Sequence, residues 1–420
     1  MTALAGLTGD AGLKRSSARA SGVLYVSYDG LLEPLGAAQV VPYVEGLARH
    51  GFEICVLSFE KPGHLADRSR CAAIAGRLSA SGVAWRPRRY HKRPTVPATL
   101  LDVAVGAGEI LRWSRRCRAP RLLHLRGYVP GLMGLLGGRQ RGTKVVFDTR
   151  SFMVDERIQS GMWAAGSAVV RVARTIEQRL LSTADAVAVV SRAGARRLPA
   201  LAGGVAPTKI RVIPPCVDLE RFRPAENHAA RKAELGFPPS PVIVHSGALS
   251  TWYLAEYTFQ VGMEFARRSG GSFLVLTHET EFARSLNTRL GAAAIVRSVE
   301  HADMPRWLGA CDAGLAVVRP DPAKQGSMPV KLGEYLACGL AAAATACVGD
   351  VEQHLDGSPV ALVFDPRSEL PEELARRLLA AAARPDRAVA ARALAERLYS
   401  LAHGVEAYAA LYEELLSCAA

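Results

Sequence analysis

Residues 327–350 combine the residue types that bind a phosphorylated ligand. They read SMPVKLGEYLACGLAAAATACVGD, a polar loop followed by a helical pattern and by a strand of small residues. The N-terminus of a helix presents unpaired backbone N–H groups and the positive end of the helix dipole, which suits a pyrophosphate. The candidate residues for these contacts are Ser327, Met328, Val330, Lys331 and Leu332, of which Lys331 adds a positive charge.

Glu334 lies three residues after Lys331, so the two side chains share nearly the same face of a helix. Its carboxylate could accept hydrogen bonds from both hydroxyls of a ribose. An ordinary Lys–Glu ion pair on an exposed helix has the same spacing, and spacing alone favours that simpler interpretation.

A second helix start follows the first apolar run of the chain. Asp29-Gly30 and the stretch that begins at Gly36 leave the backbone uncovered by large side chains, so a phosphate could approach there. These glycines lack the G-x-G-x-x-G spacing of a dinucleotide site and are also consistent with a tight turn. The chain contains no P-loop, HExxH, D-x-D or G-x-S-x-G motif, so the sequence predicts no metal site and carries no hydrolase signature.

Six segments of the chain, taken in order, resemble family 4 of the retaining glycosyltransferases, a family with the GT-B fold. They read VLYVSYDGLLEPLGAAQVVPYVEGLARHGFEICVLSFEK, FDTRSFMVDERIQSGMW, ADAVAVVS, VIPPCVDLERFRP, SGALSTWY and SMPVKLGEYLACG, and span about residues 23–350. The resemblance implies a retaining, metal-independent transfer of a sugar from a nucleotide diphosphate sugar to an acceptor hydroxyl, with no further cofactor. It also matches Glu334 to the second glutamate of the family's E-x7-E motif, which binds the donor ribose.

The chain departs from this family pattern at the donor-binding positions. Gly326 takes the place of the first E-x7-E glutamate, so we expect Ser327 and backbone groups to contact the sugar hydroxyls instead. The basic pair that holds the donor diphosphate is replaced by other residues, of which Gly247 and Thr251 are predicted to border the donor. Lys331 and the helix termini are then the candidates that neutralise the diphosphate.

In the N-terminal half, the resemblance points to the end of the strand at residues 145–147. The family often has a histidine there, whereas this chain has Asp148-Thr149-Arg150. We expect Asp148 and Arg150 to border the acceptor cleft and to act in the reaction with Lys331, while Arg126 and Glu156 bind the acceptor. A buried Asp–Arg pair at a strand end is an equally good interpretation of Asp148 and Arg150.

These residues must be positioned by strands and helices that alternate along the chain. Apolar runs separated by helical spacing predict βαβ units in both halves, and such units favour parallel, doubly wound sheets. We predict an α/β protein with two Rossmann-like domains that face each other across a cleft. The predicted divisions are a flexible tail at 1–20, an acceptor-binding domain at 21–213, a proline-rich linker at 214–224, a nucleotide-sugar-binding domain at 225–400 and a last helix at 401–420 that could pack back on the N-terminal domain.

Composition excludes several other classes of protein. With 420 residues, of which 49% are hydrophobic and 22% charged, the chain is neither disordered nor a small disulfide scaffold. No stretch reaches the roughly 20 uncharged residues that a membrane-spanning helix needs, and the first twenty residues lack the apolar core of a signal peptide. The eight cysteines form no C-x-x-C pair, so we predict reduced thiols and a cytoplasmic protein.

Charge divides the chain into two different halves. Residues 1–215 have a formal charge of +18 and residues 216–420 one of −5. Basic residues cluster at 86–93 and 112–121, where they could face an anionic membrane, a polyanion or an acidic substrate, or form only a solvated surface. We expect peripheral association with the inner face of the cell membrane and no nucleic-acid partner.

The predicted acceptor is a cell-envelope, polysaccharide or lipid-linked glycan, or a small natural product. Two alternatives to an active enzyme stay open at this point. One is a GT-B protein that has lost catalysis and serves as a binding subunit. The other is a membrane-surface or polyanion-binding protein whose basic half is the functional element.

Overall fold

The computed structural model describes residues 22–116, 121–139, 142–202 and 205–417. The tail predicted at residues 1–20 lies outside these ranges. The N-terminal part consists of β1 (Gly22–Ser27), α1 (Pro34–Gln39), α2 (Val41–Arg49), β2 (Glu53–Glu60), α3 (Pro62–Ala66), α4 (Arg68–Ala80), β3 (Ala84–Arg89), α5 (Thr95–Arg116), β4 (Arg121–Arg126), α6 (Tyr128–Gly137), β5 (Thr143–Asp148), α7 (Met153–Gln159), α8 (Ala168–Thr183), β6 (Ala186–Val189), α9 (Arg192–Ala202) and β7 (Ile210–Val212).

The C-terminal part repeats the alternation. It consists of α10 (His228–Glu234), β8 (Val242–Ser246), α11 (Ala255–Ser269), β9 (Ser272–Leu276), α12 (Thr280–Arg289), β10 (Ile295–Arg297), α13 (Met304–Leu308), β11 (Ala313–Ala316), α14 (Val330–Ala337), β12 (Ala341–Thr345), α15 (Val351–Leu355), β13 (Ala361–Phe364), α16 (Pro371–Ala382), α17 (Arg387–Tyr399) and α18 (Leu401–Ser417). Short 3-10 turns lie at Pro207–Lys209 and Pro322–Gly326.

Each part contains one parallel, doubly wound sheet. The strand order is β3-β2-β1-β4-β5-β6-β7 in the first sheet and β10-β9-β8-β11-β12-β13 in the second. In both sheets the order reverses beside the first strand, between β1 and β4 and between β8 and β11. Ligands of such folds bind beyond the carboxyl ends of the strands at this reversal. The prediction of two Rossmann-like domains is confirmed.

Several central strands are nearly continuous apolar runs, as expected when both faces of a sheet are buried. β1, β8 and β12 are apolar and buried along nearly their whole length, because helices cover both sides of each sheet. In the N-terminal domain, α2 and α18 cover one face and α5 and α6 the other. In the C-terminal domain, α14 and α17 cover one face and α11 and α16 the other.

The sequence pattern misses three strands, β3, β7 and β13. β3 reads AWRPRR and forms the edge of its sheet, where proline and arginine are tolerated because one side of the strand has no partner strand. Part of the basic cluster therefore lies in this strand. Arg88 Nη2 is 2.9 Å and Arg86 Nη1 is 3.9 Å from the carboxylate of Glu109 in α5, so these two charges are partly neutralised inside the domain.

The last helix crosses back to the N-terminal domain. Tyr408 and Tyr412 of α18 are buried in the core that contains α2 and β1. The Tyr412 hydroxyl lies 2.7 Å from Nδ1 of His124, whose ring stacks on Tyr25 with a centroid distance of 4.2 Å. The linker is tied to the same domain, because the N–H of Cys216 donates to the hydroxyl of Tyr43 at 3.0 Å.

The two domains touch through the turn that precedes α14. This turn, Pro322–Gly326, packs on α7 and α9 of the N-terminal domain. Ser191 Oγ donates to the Gln325 carbonyl at 2.5 Å. The carboxylate of Asp350 accepts from the N–H groups of Arg192 and Ala193 at 2.5 and 2.8 Å, so a C-terminal-domain residue caps α9 of the other domain. These contacts close the domains on each other.

Within the described ranges, no helix combines the length and the apolar character needed to span a bilayer.

Candidate active site

The helix α14 is buried rather than exposed. Lys331 is 8% and Glu334 is 7% exposed, and every residue from Lys331 to Ala337 is buried. The interpretation of the two residues as an ion pair on an exposed helix is wrong, because α17 and the linker cover this helix. The hydroxyl of Tyr335 accepts the N–H of Ser246 at 2.8 Å, which fixes α14 against the end of β8.

In the part of the chain that the structure describes, the ammonium group of Lys331 has no anionic partner. Nζ lies 4.1 Å from the centre of the Tyr253 ring and 3.5 Å from Nε2 of His245, and among the described residues no carboxylate is within ion-pair distance. Nε2 of His245 also lies 2.9 Å from the Ala248 carbonyl. If that nitrogen carries a proton, it donates to the carbonyl and offers the ammonium group no acceptor. Burial lowers the pKa of Lys331 to about 7.

An unpaired buried charge of this kind is costly. Leaving one member of a buried ion pair without its partner costs roughly 3–5 kcal/mol. Burial also lowers the pKa of His245 well below its ordinary value, so this neighbour stays neutral and adds no competing charge. The arrangement is therefore suited to an anion that enters beside Lys331 at the N-terminal end of α14.

The loop after β8 ends next to this ammonium group. Gly247 has a φ of +93°, and a Cβ at this position would lie 3.3 Å from Nζ of Lys331. Thr251 is exposed and has a φ of +63°. The side chain of Lys331, which belongs to α14, therefore lies near the end of β8. The family resemblance expects a basic pair in the loop after this strand.

Glu279 holds this loop in place. Its carboxylate accepts from the N–H groups of Leu249 and Ser250 at 2.8 and 3.0 Å. Burial alone would raise the pKa of Glu279, but these hydrogen bonds and that of the Ser250 hydroxyl lower it. A charged carboxylate therefore fixes the backbone beside the candidate anion site.

The carboxylate of Glu334 points into a closed space at the base of the domain interface. Its Oε1 lies 3.2 Å from Nε2 of His301, and Nδ1 of His301 lies 3.3 Å from Nη1 of Arg221. The cavity here has a volume of about 10 Å³, room for a single water molecule. Gln39 of the N-terminal domain lines the cavity, and its buried Oε1 makes no hydrogen bond to any described residue. This cavity is too small for a nucleotide.

The other predicted donor contacts differ in their accessibility. Met328 and Leu332 are buried in the C-terminal core, so they can offer a ligand only their backbone. Ser327 is half-buried in the loop before α14 and faces the N-terminal domain. Within the described part of the chain, no group of three or more His, Cys, Asp or Glu side chains is arranged to hold a metal ion.

Gly36 has a packing role. A Cβ at this position would lie 2.0 Å from the carbonyl oxygen of Gly30, so only glycine permits α1 to pack on the loop after β1. Glu60 holds this loop by accepting the N–H groups of Leu31 and Leu32 at 2.8 and 3.1 Å. The close approach explains the glycine without a phosphate.

Asp148 is buried and pairs with Arg150, which is half-buried. Nη1 of Arg150 is 3.7 Å and Nε2 of His124 is 3.6 Å from the Asp148 carboxylate, and the Tyr408 hydroxyl donates to it at 3.1 Å. Burial would raise the pKa of Asp148, but the charge of Arg150 and the proximity of His124 lower it to about 2. The geometry favours the buried-pair interpretation, in which the two residues join α18 to the end of β5.

Two predicted acceptor-binding residues lie in different places. Arg126 donates from Nη1 to the partly exposed carboxylate of Asp29 at 2.9 Å, at the carboxyl ends of β4 and β1. Glu156 instead reaches the C-terminal domain, where Nζ of Lys324 lies 2.5 Å from its Oε1.

Lys324 and His301 are two residues of this region that the sequence pattern did not predict. Lys324 is buried, and its Nζ lies 3.9 Å from the centre of the Trp252 ring. Burial lowers the pKa of Lys324, against the opposing effect of Glu156. Lys324 lies in the short 3-10 turn and His301 in a loop, and the partners of both are distant in sequence. Spacing therefore carries no signal for them. Only the position of Lys324, three residues before Ser327, could have drawn attention to it.

Comparison with known proteins gives matches for both domains. The family model described as Glycosyltransferase Family 4 matches residues 37–221, and the one described as Glycosyl transferase-like matches residues 266–410. D-inositol 3-phosphate glycosyltransferase 2 of Catenulispora acidiphila is 26% identical over 263 residues, which are 58% of this chain and 58% of that protein. D-inositol 3-phosphate glycosyltransferase of Nocardia farcinica is 32% identical over 119 residues, 28% of this chain and 26% of that protein. The matched part thus spans a little over half of the first relative and about a quarter of the second.

Solved structures resemble nearly the whole chain. Sucrose-phosphate synthase from Thermosynechococcus elongatus has a TM-score of 0.71 at 16% identity, covering 95% of this chain and all of that one. Anabaena Alr3699/HepE in complex with UDP and glucose has a TM-score of 0.64 at 15% identity, covering 93% of this chain and 99% of that one. At these identities the likeness concerns the fold. By its two domain matches and its fold, the chain is similar to the family 4 glycosyltransferases and is built on the GT-B fold.

Proposed function

We propose that the protein is a glycosyltransferase whose nucleotide diphosphate sugar donor is bound between the domains, with its diphosphate at Lys331. The observation that carries this proposal is the buried ammonium group of Lys331, which has no anionic partner among the described residues. The similarity to glycosyltransferases in both domains supports it, as does the binding of UDP and glucose by the HepE protein.

The donor diphosphate would be stabilised by charge and by backbone dipoles. The ammonium group of Lys331 and the first N–H groups of α14 meet it from one side, in a site where water is excluded and electrostatic attraction is strong. Glu334 would accept hydrogen bonds from the ribose hydroxyls. His301, at 3.2 Å from Glu334, orients that carboxylate.

Domain motion is part of the proposed cycle. The 10 Å³ cavity beside Glu334 admits no nucleotide, so the donor binds when the domains separate. Closure then removes water and brings the acceptor side of the cleft to the sugar. Following the family resemblance, we propose transfer with retention and without a divalent metal, in which the leaving phosphate helps to take the acceptor proton. On the acceptor side we propose Arg126 and its partner Asp29.

A membrane-linked acceptor is proposed from a specific surface. Val96, Leu100 and Leu101 of α5 are 68%, 56% and 51% exposed, and the exposed residues Lys92 and Arg93 precede them. α5 begins at the carboxyl edge of the N-terminal sheet because it follows β3, so this patch lies on the cleft side of the domain. We propose a cytoplasmic protein that docks on an anionic membrane through this patch and glycosylates a lipid-linked or cell-envelope acceptor.

A protein that has lost catalysis is the second candidate. Gly326 supplies no carboxylate to a donor sugar, and the basic pair expected by resemblance is absent from the loop after β8. Such a protein would bind the donor without hydrolysing or transferring it. An active enzyme should slowly hydrolyse the donor and release the nucleotide, so a hydrolysis assay with purified protein separates the two candidates.

Glu334→Gln tests the ribose assignment. The substitution keeps the size of the side chain but removes a charged acceptor, and hydrogen bonds to charged groups contribute a factor of about 10 to 150 in binding. We expect the affinity for UDP or GDP, whichever binds the wild type, to fall by about this factor in calorimetric titrations. Glu281→Gln, at an exposed position of α12, serves as the control and leaves binding unchanged. Equal affinities of wild type and Glu334→Gln would contradict the assignment.

The pKa of Lys331 predicts the pH dependence of stability. Folding lowers this pKa from the ordinary 10.5 to about 7, so between these values the unfolded chain binds more protons than the folded one. The stability of the ligand-free protein therefore contains a contribution that rises with pH from about 7 to 10.5. Lys331→Met should remove this rise and stabilise the ligand-free protein at pH 7, measured by denaturant unfolding at several pH values. A rise between pH 7 and 10.5 that is as large in the variant as in the wild type would refute the prediction.

Vesicle sedimentation tests the membrane patch. We expect the protein to pellet with vesicles that contain phosphatidylglycerol at low salt, and to be released at about 0.5 M NaCl, where charges are screened. Leu100→Glu combined with Leu101→Glu should abolish pelleting, whereas Val389→Glu, at a more exposed apolar position of the C-terminal domain, should not. Wild-type protein that stays in the supernatant, or equal effects of the two substitutions, would end the proposal.

A further inference from the structure

The carboxylate of Glu156 crosses from the N-terminal domain to the loop that precedes α14. Its Oε1 accepts from Nζ of Lys324 at 2.5 Å and from Oγ of Ser327 at 3.3 Å. Its Oε2 accepts from Oγ of Ser151 at 3.0 Å. An ammonium group and a hydroxyl of one domain therefore hold a largely buried carboxylate of the other.

Gly326 and Phe152 explain how this carboxylate reaches the loop. A Cβ at position 326 would lie 2.7 Å from the Phe152 ring, so the absence of a side chain lets the ring pack on the turn. Phe152 is fully buried there. Glu156 lies four residues later, one helical turn along α7, on the same side as Phe152. The turn Pro322–Gly326 contains no acidic residue, and Glu156 of the N-terminal domain places a carboxylate beside it.

The residues that contact Glu156 lie next to the candidate diphosphate site. Lys324 lies under the ring of Trp252 at 3.9 Å, and Lys331 lies under the neighbouring Tyr253 ring at 4.1 Å. Ser327, which contacts Glu156, lies four residues before Lys331 in the same loop and helix. The turn and loop that Glu156 contacts therefore adjoin the candidate diphosphate site.

We propose that Glu156 is a donor-sugar-binding residue whose carboxylate accepts hydrogen bonds from hydroxyls of the transferred sugar when the domains close. The inference rests on the proposed function and changes the role of Glu156 from the acceptor side to the donor side. A carboxylate has several lone pairs, so it can accept from a sugar hydroxyl while Lys324 keeps it charged and in place. The substrate class is then a donor sugar with a free hydroxyl at the position that meets Glu156.

This arrangement separates recognition of the nucleotide from recognition of the sugar. Lys331 and Glu334 belong to the C-terminal domain and can bind a nucleotide diphosphate in the open protein. Glu156 reaches the sugar only after closure. Changes at Glu156 should therefore affect the sugar-dependent steps and leave nucleotide binding unchanged.

The test compares Glu156→Gln with Asp350→Asn in the full-length chain. Both residues make contacts between the domains, but the Asp350 carboxylate accepts from the backbone N–H groups at the start of α9. The readouts are calorimetric affinity for UDP or GDP and the kcat/KM for hydrolysis of UDP-glucose or GDP-mannose. The nucleotide is the one that binds the wild type. Donor analogues in which single sugar hydroxyls are replaced by fluorine are measured in parallel.

We expect Glu156→Gln to lower kcat/KM by about 10- to 100-fold while the nucleotide affinity stays within about twofold. With one fluorinated donor, the wild type should lose about the same factor in kcat/KM relative to the unmodified donor. Glu156→Gln should lose little more with this analogue than with the unmodified donor. Asp350→Asn should keep the full discrimination against that analogue. Unchanged kinetics of Glu156→Gln, or equal loss of discrimination in both variants, would overturn the inference but leave the proposed function intact. A wild type that binds no nucleotide would overturn the proposed function and this inference together.

Discussion

A buried positive charge without a negative partner is the constraint on which the site depends. Nζ of Lys331 lies under the Tyr253 ring and beside a neutral histidine, and the part of the chain that the structure describes brings no carboxylate within ion-pair distance. Such a charge is tolerated when a ligand completes the pair or when the group loses its proton. The rest of the C-terminal domain holds the lysine in this position, because Tyr335 ties α14 to the end of β8 and α17 covers its outer side.

In both domains a glutamate holds the loop that follows the first strand of the sheet. In each domain a glutamate at or after the second strand accepts two consecutive N–H groups of the loop that follows the first strand: Glu60 for Leu31 and Leu32, Glu279 for Leu249 and Ser250. Both loops lie where the strand order reverses. Burial raises the pKa of Glu60, whereas the hydrogen bonds of Glu279 lower its pKa.

The fold was largely predictable from the sequence, and the contacts between domains were not. The apolar runs of β8 and β12 coincide with the observed strands because both faces of a parallel sheet are buried. The edge strand β3 was not predicted because it has no apolar run. Proline and arginine are tolerated in a strand at the edge of a sheet. Helical spacing placed Lys331 and Glu334 on one face but could not show that other elements cover it. The pairing of Glu156 with Lys324 joins residues 168 positions apart, and no local pattern encodes it.

The titration of the Lys331 side chain tests the central claim most directly. NMR spectra of protein labelled at the lysine side chains, with the Lys331 signal assigned by its loss in Lys331→Met, report this pKa site by site. We predict a pKa near 7 in the free protein and a value well above it when UDP or GDP is bound, because the diphosphate supplies the missing negative charge. A pKa that does not change on saturation with either nucleotide would show that the diphosphate binds elsewhere.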